Sequence, residues 1–365
     1  MQTLPLEHIH RQNGAHLASY GDWELPEHYG DPLREYRAVR EGVGLSDLSD
    51  RGKLLLTGAE RISFLQKIAS NDLEGLSKER GIYSTLLSPK GKILSDFYLY
   101  ALPDALLLET DASIEEKIKT HLMRYRLRTP VEITSPPLGR LLVSGPGAQA
   151  VIEKYLGVSL PVWEEKSFFQ KTVGDTRLTG VFRSITGEAD VHLYCPTEKL
   201  KTLWSGLYTA GELAGIRPVG QRALEILRVE AGKPQYGIDM DEMILPEEAG
   251  IHTEAVSYTK GCYPGQEVMA RIKTYGHVNR HLTGLVLETD RLPEKGDPIF
   301  LDDTKVGKVT SMVSSPFMGK GVAMGYLLSK AAAPGTQVII QMDQTQGGAT
   351  VTALPFYKKK TTQNA

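Results

Sequence analysis

Apolar residues repeat along the first third of the chain with two different periods. Leu33, Tyr36 and Val39 recur at helical spacing and predict a helix over residues 32–41, and a similar pattern predicts a second helix over residues 60–68. Elsewhere the period of two that is typical of strands is broken by Gly, Pro and Asp. Strands are predicted at residues 53–57, 82–87, 93–100 and 105–109, and turn residues 88–91 make the middle two a hairpin. A helix to about residue 126 follows, so this region is α+β.

The pattern of predicted secondary structure changes near His281. Before that point strands and helices continue to mix, for example where the strand at residues 141–143 leads into a helix near Ala148. Beyond it, short strands are punctuated by Gly, Pro and Asp, which predicts a separate small β-barrel or sandwich. Those strands are predicted at residues 283–287, 298–301, 305–311, 321–327 and 337–341.

Charge and hydropathy restrict the partners of the chain. It carries 42 basic and 44 acidic side chains, a formal net charge of −2, so no overall field draws it to nucleic acid or to an anionic membrane. No run of about 18 apolar residues occurs, and the N-terminus lacks a basic segment that leads into an apolar one. We therefore expect a non-exported cytoplasmic protein with no direct nucleic-acid partner and no membrane partner.

Cysteine and histidine spacing argues against a metal site. The only cysteines are Cys195 and Cys262, and they form no Cys-x-x-Cys pair. The nine histidines show no zinc-type spacing such as His-Glu-x-x-His. We expect reduced thiols and no structural metal.

Asp96 is the first candidate for chemistry. The period of two places it on one face of its strand with Leu94, Tyr98 and Tyr100, just beyond a tight turn. Such a carboxylate could face a pocket, but lone acids are seldom buried, so the residues alone favour a solvent-facing acid.

Cys262 is the second candidate. It lies in the segment Lys-Gly-Cys-Tyr-Pro-Gly-Gln-Glu, residues 260–267, where Gly and Pro hold a loop ahead of a predicted helix at residues 266–273. The positive end of that helix and the charge of Lys260 would favour the thiolate and raise its reactivity. The alternative is a buried small hydrophobic residue, the commoner role of a free cysteine.

Over almost its whole length the chain resembles the glycine cleavage T protein (aminomethyltransferase) family. No single motif decides this. The N-terminal part resembles the family's Gly-Trp-x-x-Pro, Ala-Val-Arg and Asp-x-Ser signatures, and later blocks resemble its Thr-Gly-Glu and Arg-x-Glu-Ala-Gly motifs. The matching residues are Gly21–Pro26, Ala38–Arg40, Asp47–Ser49, Thr186–Glu188 and Arg228–Gly232.

The resemblance implies a fold and a cofactor. The fold is α+β, a three-domain cloverleaf around a central hole that holds tetrahydrofolate, with a C-terminal antiparallel β-barrel. Residues 1–280 would form the folate-binding region, as two interleaved domains of which the second covers about 52–135. Residues 281–357 would form the barrel, and residues 358–365 a charged tail.

Site residues follow from the resemblance one by one. Asp96 matches the acid beside the reactive folate nitrogens and becomes the predicted catalytic carboxylate, which replaces the solvent-facing interpretation. Tyr83 and Tyr236 match rings that line the folate site, and Arg228 matches an arginine of that pocket.

Three positions depart from the family. Paired acids become Ser95-Asp96, the tyrosine before Thr-Gly-Glu becomes Ile185, and the acid expected on the pterin edge becomes His192. A neutral histidine offers one acceptor where a carboxylate accepts two bonds, so the change would weaken pterin binding by about 1–3 kcal/mol if nothing compensates.

The segment at residues 260–267 resembles the signature of the YgfZ-type branch. That branch is associated with folate-dependent assembly or repair of iron–sulfur clusters in other enzymes, and indirectly with tRNA modification. On this hypothesis Cys262 is a redox-responsive or transiently ligating thiol, and the partners are iron–sulfur client proteins. Because a cluster ordinarily needs four protein ligands, a partner would have to complete the coordination.

Two alternatives stay open. One is a genuine aminomethyltransferase that uses tetrahydrofolate and a lipoylated carrier protein, favoured by the T-protein-like N-terminal part. The other is a folate-binding regulatory module without chemistry.

Overall fold

A computed structural model describes residues 1–77 and 79–359 of the chain. Residues 360–365, most of the predicted charged tail, lie outside the described residues. The chain divides into two compact units. Unit 1 comprises Met1–Gln66, Leu73–Tyr83 and Phe97–Leu224, and unit 2 comprises Lys67–Asp72, Ser84–Asp96 and the residues from Glu225 onward.

Strands and helices alternate up to residue 275, and only strands and one short turn of 3₁₀ helix follow within the described part. The strands are β1 (Gln2–Thr3), β2 (His16–Tyr20), β3 (Trp23–His28), β4 (Gly44–Asp47), β5 (Gly52–Thr57), β6 (Ile82–Leu87), β7 (Ile93–Ala101), β8 (Ala105–Thr110), β9 (Glu132–Thr134), β10 (Leu138–Ser144), β11 (Phe168–Val173), β12 (Thr176–Phe182), β13 (Asp190–Pro196), β14 (Arg217–Pro218), β15 (Arg280–Leu287), β16 (Pro298–Leu301), β17 (Thr304–Ser315), β18 (Lys320–Leu328), β19 (Gln337–Met342) and β20 (Thr345–Thr352). The helices are α1 (Glu7–Gln12), α2 (Pro32–Glu41), α3 (Arg61–Gln66), α4 (Glu115–Arg126), α5 (Ala148–Leu156), α6 (Leu200–Gly211), α7 (Gln221–Glu230), α8 (His252–Ala255) and α9 (Gln266–Tyr275).

Helix α2 shows why the local prediction succeeded. The Asp31 side chain accepts a hydrogen bond from Leu33 N at 2.9 Å, and Pro32 occupies the first helical position, where its missing N–H is not needed. The helix ends at Glu41 as predicted. The short helix α1, earlier in the chain, was not predicted because six residues give too little periodicity.

Unit 1 contains a six-stranded sheet in the order β11-β12-β13-β10-β4-β14. Apolar side chains of this sheet pack against helices α5 and α6, around the buried residues Leu141, Val143, Leu203, Trp204 and Leu207. Three short strands form a further sheet in the order β1-β3-β2. A five-stranded sheet has the order β6-β7-β8-β5-β9 and includes the predicted hairpin.

The C-terminal strands close into a barrel in the order β15-β18-β17-β16-β19-β20. Five of its strands were predicted, which confirms the barrel alternative and the α+β fold class. The sixth, β20, was missed because it contains Gly347 and Gly348, which are typical of turns. In the barrel Gly347 is buried and a Cβ there would lie 2.6 Å from Thr289 Cγ2, so close packing rather than a turn favours glycine at this position.

No helix within residues 1–77 and 79–359 has the length and apolar character needed to cross a membrane.

Candidate functional site

Asp96 lies on β7, beyond the turn of the predicted hairpin. Gly91 N donates to Ser88 O at 2.8 Å, and Gly91 has φ of +73°, a conformation that glycine adopts without strain. Along β7 buried residues alternate with partly exposed ones, and Asp96 belongs to the partly exposed set together with Leu94 and Tyr98. Its carboxylate therefore lies on a strand face that stays partly open to solvent.

Cys262 is exposed, in the loop that leads into α9. Next to it Tyr263 is buried and its hydroxyl donates to Ser257 O at 3.0 Å, which fixes the loop. Gly265 precedes the helix with φ of +84°, and a Cβ there would lie 2.6 Å from Ser88 O. Only glycine allows the loop to pack so closely against the hairpin turn.

Lys260 anchors the same loop from inside. Its side chain is buried, and Nζ donates to the carbonyl oxygens of Ala69 and Asn71 at 2.7 and 2.9 Å. Burial lowers the pKa of Lys260 to about 8, against the opposing effect of the Asp72 charge. The ammonium group thus holds two backbone segments of unit 2 together.

Arg228, on α7, is surrounded by acceptors. Nη1 donates to Asp239 Oδ2 and to Lys233 O, both at 2.7 Å. Nε and Nη2 donate to the Glu225 carboxylate at 2.8 and 2.6 Å, and Nη2 also donates to Ser311 Oγ at 2.8 Å. Because a guanidinium has five N–H donors, every donor of Arg228 is engaged within unit 2.

Arg228 stays protonated and positively charged. Burial lowers the pKa of its guanidinium, but the hydrogen bonds and charges of Glu225 and Asp239 outweigh this and raise the pKa above the ordinary value. A carboxylate ligand could bind Arg228 only by displacing one of the protein acceptors.

Tyr236 lies in a tight loop, residues 235–240, that also contains Asp239. The ring is buried, and Tyr236 forms a parallel bridge with Met240. Gln235 N donates to Asp239 Oδ2 at 3.1 Å, and this is the same carboxylate oxygen that receives Arg228 Nη1. Asp239 therefore connects two predicted site residues, Arg228 and the loop of Tyr236.

In unit 1, Tyr83 belongs to an aromatic stack. Its ring stacks on Tyr98 with centroids 4.5 Å apart and an interplanar angle of 27°. The guanidinium carbon of Arg183 lies 4.0 Å from the centroid of the Tyr98 ring. Tyr83 is therefore a mostly buried ring that is held by a second ring and a cation.

His192 is fully buried in unit 1, and both of its ring nitrogens have protein partners. Nδ1 accepts from Arg140 Nη2 at 2.6 Å and from Arg140 Nε at 3.1 Å, and Nε2 lies 2.9 Å from Arg183 O. A pterin edge could reach neither nitrogen in this arrangement.

A buried carboxylate, Glu109, joins the same network. Its Oε1 accepts from Arg140 Nη1 at 2.6 Å and from Arg183 Nη2 at 2.8 Å, and its Oε2 accepts from the Tyr194 hydroxyl. Burial alone would raise the pKa of Glu109, but the charges of Arg140 and Arg183 outweigh it and hold the pKa well below its ordinary value. Burial, assisted by the same two arginines, holds the pKa of His192 well below its ordinary value, so the imidazole is neutral.

Sequence reasoning missed Glu109, Arg140 and Arg183 as site neighbours. A signal was present, since Glu109 follows Leu106–Leu108 and Arg140 precedes Leu141–Val143, and a charge inside an apolar strand is normally paired. The partners themselves lie far apart in the sequence and could not be identified from spacing.

Several family-like blocks form buried polar networks. In the Thr-Gly-Glu block, Thr186 Oγ1 donates to Asp190 Oδ1 at 2.7 Å, and Arg40 Nη1 donates to Thr186 O at 2.8 Å. Burial raises the pKa of Asp190 to about 6, although the hydrogen bonds from Thr186 and Ile185 oppose it. The Asp190 carboxylate thus fixes the turn that contains the Thr-Gly-Glu block, so this block has a structural role in unit 1.

The predicted site residues are thus divided between the units. Tyr83 and His192 lie in unit 1, whereas Asp96, Arg228, Tyr236 and Cys262 lie in unit 2. Within unit 1, the Arg183 guanidinium lies over Tyr98, the stacking partner of Tyr83, and the Arg183 backbone oxygen is bonded to His192. Within unit 2, Asp239 accepts hydrogen bonds from Arg228 and from the loop of Tyr236. The individual roles of the six residues stay predictions.

Comparison with known proteins gives the same family along the chain. Residues 6–260 match the family described as GCVT N-terminal domain, and residues 280–358 match the glycine cleavage T-protein C-terminal barrel domain. An aminomethyltransferase from Halothermothrix orenii is 32% identical over 98% of this chain and 100% of its own length. One from Bacillus subtilis is 28% identical over 98% of this chain and 100% of its own.

A solved structure supports the fold. The glycine cleavage system aminomethyltransferase T from Bartonella henselae superposes with a TM-score of 0.90, at 24% identity, over 98% of each chain.

These findings correct the predicted function. The iron–sulfur accessory hypothesis is wrong, because the relatives that match the chain from end to end are named aminomethyltransferases. Iron–sulfur client proteins lose their support as partners for the same reason, whereas the prediction of tetrahydrofolate as the cofactor agrees with the family. The chain belongs to the glycine cleavage T-protein (GCVT) family.

Proposed function

We propose that this chain is an aminomethyltransferase that acts with tetrahydrofolate and a lipoylated carrier protein. The observation that carries the proposal is the extent of the likeness. The Halothermothrix orenii aminomethyltransferase aligns over its full length with 98% of this chain.

The proposed reaction balances without a further reactant. The carbon of an aminomethyl group leaves the carrier sulfur and its own amine, so that one C–S and one C–N bond break, and ammonia and the free carrier thiol are released. Tetrahydrofolate would supply the two nitrogens that accept this carbon, and its two displaced protons complete the ammonia and the thiol.

Asp96 would act as the general acid–base group of the reaction. A carboxylate on a partly open strand face can hold the amine as an ammonium group and accept or return a proton, the work of a general acid–base group. Tyr83 would contact the flat ring of the folate, and its stacking on Tyr98 leaves it little freedom to move. Tyr236 would provide a second ring.

For Arg228 and His192 we propose indirect roles. The donors of Arg228 are engaged by Asp239, Glu225 and neighbouring groups, so the residue would set the position of the Tyr236 loop. The nitrogens of His192 are engaged by Arg140 and Arg183, so the residue would set the position of Arg183 beside Tyr98.

Cys262 has no part in the proposed reaction. The likeness of residues 260–267 to the YgfZ-type signature leads us to propose a variant branch of the family, in which an exposed thiol is added beside α9. If Cys262→Ser leaves kcat and KM unchanged, the thiol does not take part in this reaction.

The test uses the full chain with an aminomethyl-loaded lipoylated carrier and tetrahydrofolate. We expect ammonia and methylenetetrahydrofolate in equal amounts, and a loss of kcat of about 10²–10⁴-fold in Asp96→Asn, as for removal of a general acid–base group. Asp104→Asn is the matched control, since it removes an exposed carboxylate from the turn after β7.

Two results would contradict the proposal. Tight binding of tetrahydrofolate without ammonia release would favour a regulatory module. Equal loss of activity in both variants would remove Asp96 from the reaction.

A further inference from the structure

A second group of donor atoms lies in unit 1, on the hairpin of β2 and β3. His16, Glu27 and His28 each offer one nitrogen or oxygen, and these three atoms lie within 4.8 Å of one another. His16 Nδ1 is 3.1 Å from Glu27 Oε2, and the His16 and His28 rings are stacked with centroids 5.1 Å apart. In the part of the chain that the structure describes, this is the one cluster of three such side chains with this spacing.

A β-bulge brings the three side chains together. His16 pairs with His28 and Leu17 pairs with Pro26, so Glu27 has no partner on β2. In a regular strand Glu27 and His28 would point to opposite faces. A bulge sets two residues against one and re-aims a side chain, and here it leaves both residues beside His16.

We propose that His16, Glu27 and His28 bind a divalent transition-metal ion such as Zn²⁺, for which two histidines, one glutamate and a water are a known ligand set. Two imidazole nitrogens and one carboxylate suit zinc, nickel or copper, whereas Mg²⁺ and Ca²⁺ prefer oxygen ligands throughout. With three protein ligands, water completes the tetrahedral coordination.

The cluster is close to this geometry and is able to adjust. Zinc bonds of 2.0–2.1 Å separate tetrahedral ligands by about 3.3 Å, and the 3.1 Å between His16 Nδ1 and Glu27 Oε2 already agrees. His16 has to turn out of the stack, and its side chain is 63% exposed. His28 has to give up the bond that Gly30 N donates to its Nδ1 at 3.1 Å.

One neighbouring cation, Arg222, competes weakly with a metal ion for the Glu27 carboxylate. Arg222 Nη1 lies 4.0 Å from Glu27 Oε1, at the limit of an ion pair, and its side chain is exposed. Because of this contact and the lost Gly30 bond, we expect weaker binding than at a preformed structural zinc site.

The test is calorimetric titration of the metal-free, tag-free full chain with ZnCl₂. Because the exposed thiol of Cys262 can also bind zinc, the parent chain and all variants in this test carry Cys262→Ser. We expect a single ion per chain, and at least about tenfold weaker binding in His16→Ala, His28→Ala and Glu27→Gln. His8→Ala is the matched control because it removes an exposed histidine outside the cluster, and its affinity should equal that of the parent.

Cobalt gives a second readout. Co²⁺ in place of Zn²⁺ should produce the visible absorption of a tetrahedral site in the parent and in His8→Ala, but not in the His16→Ala/His28→Ala double variant. Circular dichroism confirms that each variant is folded.

Absence of zinc binding in the parent would overturn the proposal. So would equal affinity in the parent and the double variant. Neither measurement involves transferase activity, so failure here leaves the proposed function untouched.

Discussion

The guanidinium carbon of Arg183 lies 4.0 Å from the centroid of the Tyr98 ring. The same ring stacks on Tyr83 at 4.5 Å, so Tyr98 links a buried cation to a predicted folate-binding residue. Removing the Tyr98 ring removes this stacking contact of Tyr83.

For Tyr98→Ala we expect the Kd of the full chain for tetrahydrofolate to rise roughly two- to tenfold, because aromatic pairs contribute about 0.5–1.5 kcal/mol. Fluorescence or calorimetric titration measures the change. Tyr98→Phe keeps the ring and should bind as the parent does. Unchanged affinity in Tyr98→Ala would show that Tyr83 does not depend on this stack for a folate contact.

Asp239 should be a main determinant of stability in unit 2. Its carboxylate is buried and receives Arg228, Thr310 and Ser311, so Asp239→Asn leaves the Arg228 charge with only a partly exposed acidic partner, Glu225. Breaking a buried pair typically lowers the free energy of unfolding by about 3–5 kcal/mol. Urea unfolding followed by circular dichroism measures the loss.

Glu225→Gln is the control for this prediction. The Glu225 carboxylate is 38% exposed, so solvent replaces much of the lost interaction, and we expect a loss of about 1 kcal/mol or less. Equal losses in the two variants would mean that burial of Asp239 does not decide the strength of the pair.

Local features of the fold were predictable from sequence because their signals lie within a few residues. Asp31 and Pro32 specify the start of α2, and Ser88 to Gly91 specify the hairpin turn. The strand β20 was not predictable, since its Gly347 and Gly348 look like turn residues in the sequence, whereas in the barrel Gly347 packs closely against Thr289.

The surroundings of the site depend on long-range contacts. Glu109 finds Arg140 and Arg183 across 31 and 74 residues, and no spacing rule connects them. The same limit hid the proximity of His16 and His28, which lie on different strands and come together through a bulge.

The error in function had a different origin. The prediction gave more weight to residues 260–267 and to the departures at Ser95, Ile185 and His192 than to the resemblance over the rest of the chain. The relatives that match the chain along its whole length are aminomethyltransferases, and this overturned the prediction.

The two thiols should differ strongly in reactivity. Cys262 is exposed, whereas Cys195 is buried, and burial raises the pKa of the Cys195 thiol to about 12. Because the thiolate is the reacting form, we expect an aromatic disulfide reagent to modify one thiol rapidly in the native chain and the second only after denaturation. Cys262→Ser should abolish the rapid phase and Cys195→Ser should keep it. A rapid phase that persists in Cys262→Ser would contradict the buried position of Cys195.

The contribution of His192 to the stability of unit 1 should fall when the pH drops below about 6.5, the ordinary histidine pKa. Folded His192 stays neutral because burial, together with Arg140 and Arg183, holds its pKa well below that value. In the unfolded chain the imidazole takes up a proton below about pH 6.5, so the unfolded state binds more protons than the folded state. This contribution to the free energy of unfolding falls by about 1.4 kcal/mol per pH unit, from about pH 6.5 down to the folded pKa.

His192→Gln isolates this effect, because its amide can still accept from Arg140 and donate to Arg183 O but does not titrate. We expect the stability of the parent to fall relative to that of this variant by up to about 1.4 kcal/mol per pH unit as the pH drops from about 6.5 to 5. Burial raises the pKa of Asp50 and Asp190 to about 6 and gives the opposite slope, but both residues are present in the parent and the variant, so their contributions cancel in the difference. The three tryptophans, Trp23, Trp163 and Trp204, all lie in unit 1, so urea unfolding followed by their fluorescence reports on this unit. His8→Gln, at an exposed position, should keep the slope of the parent. If the parent and His192→Gln have parallel pH profiles, burial and the two arginines do not hold His192 neutral in the folded state.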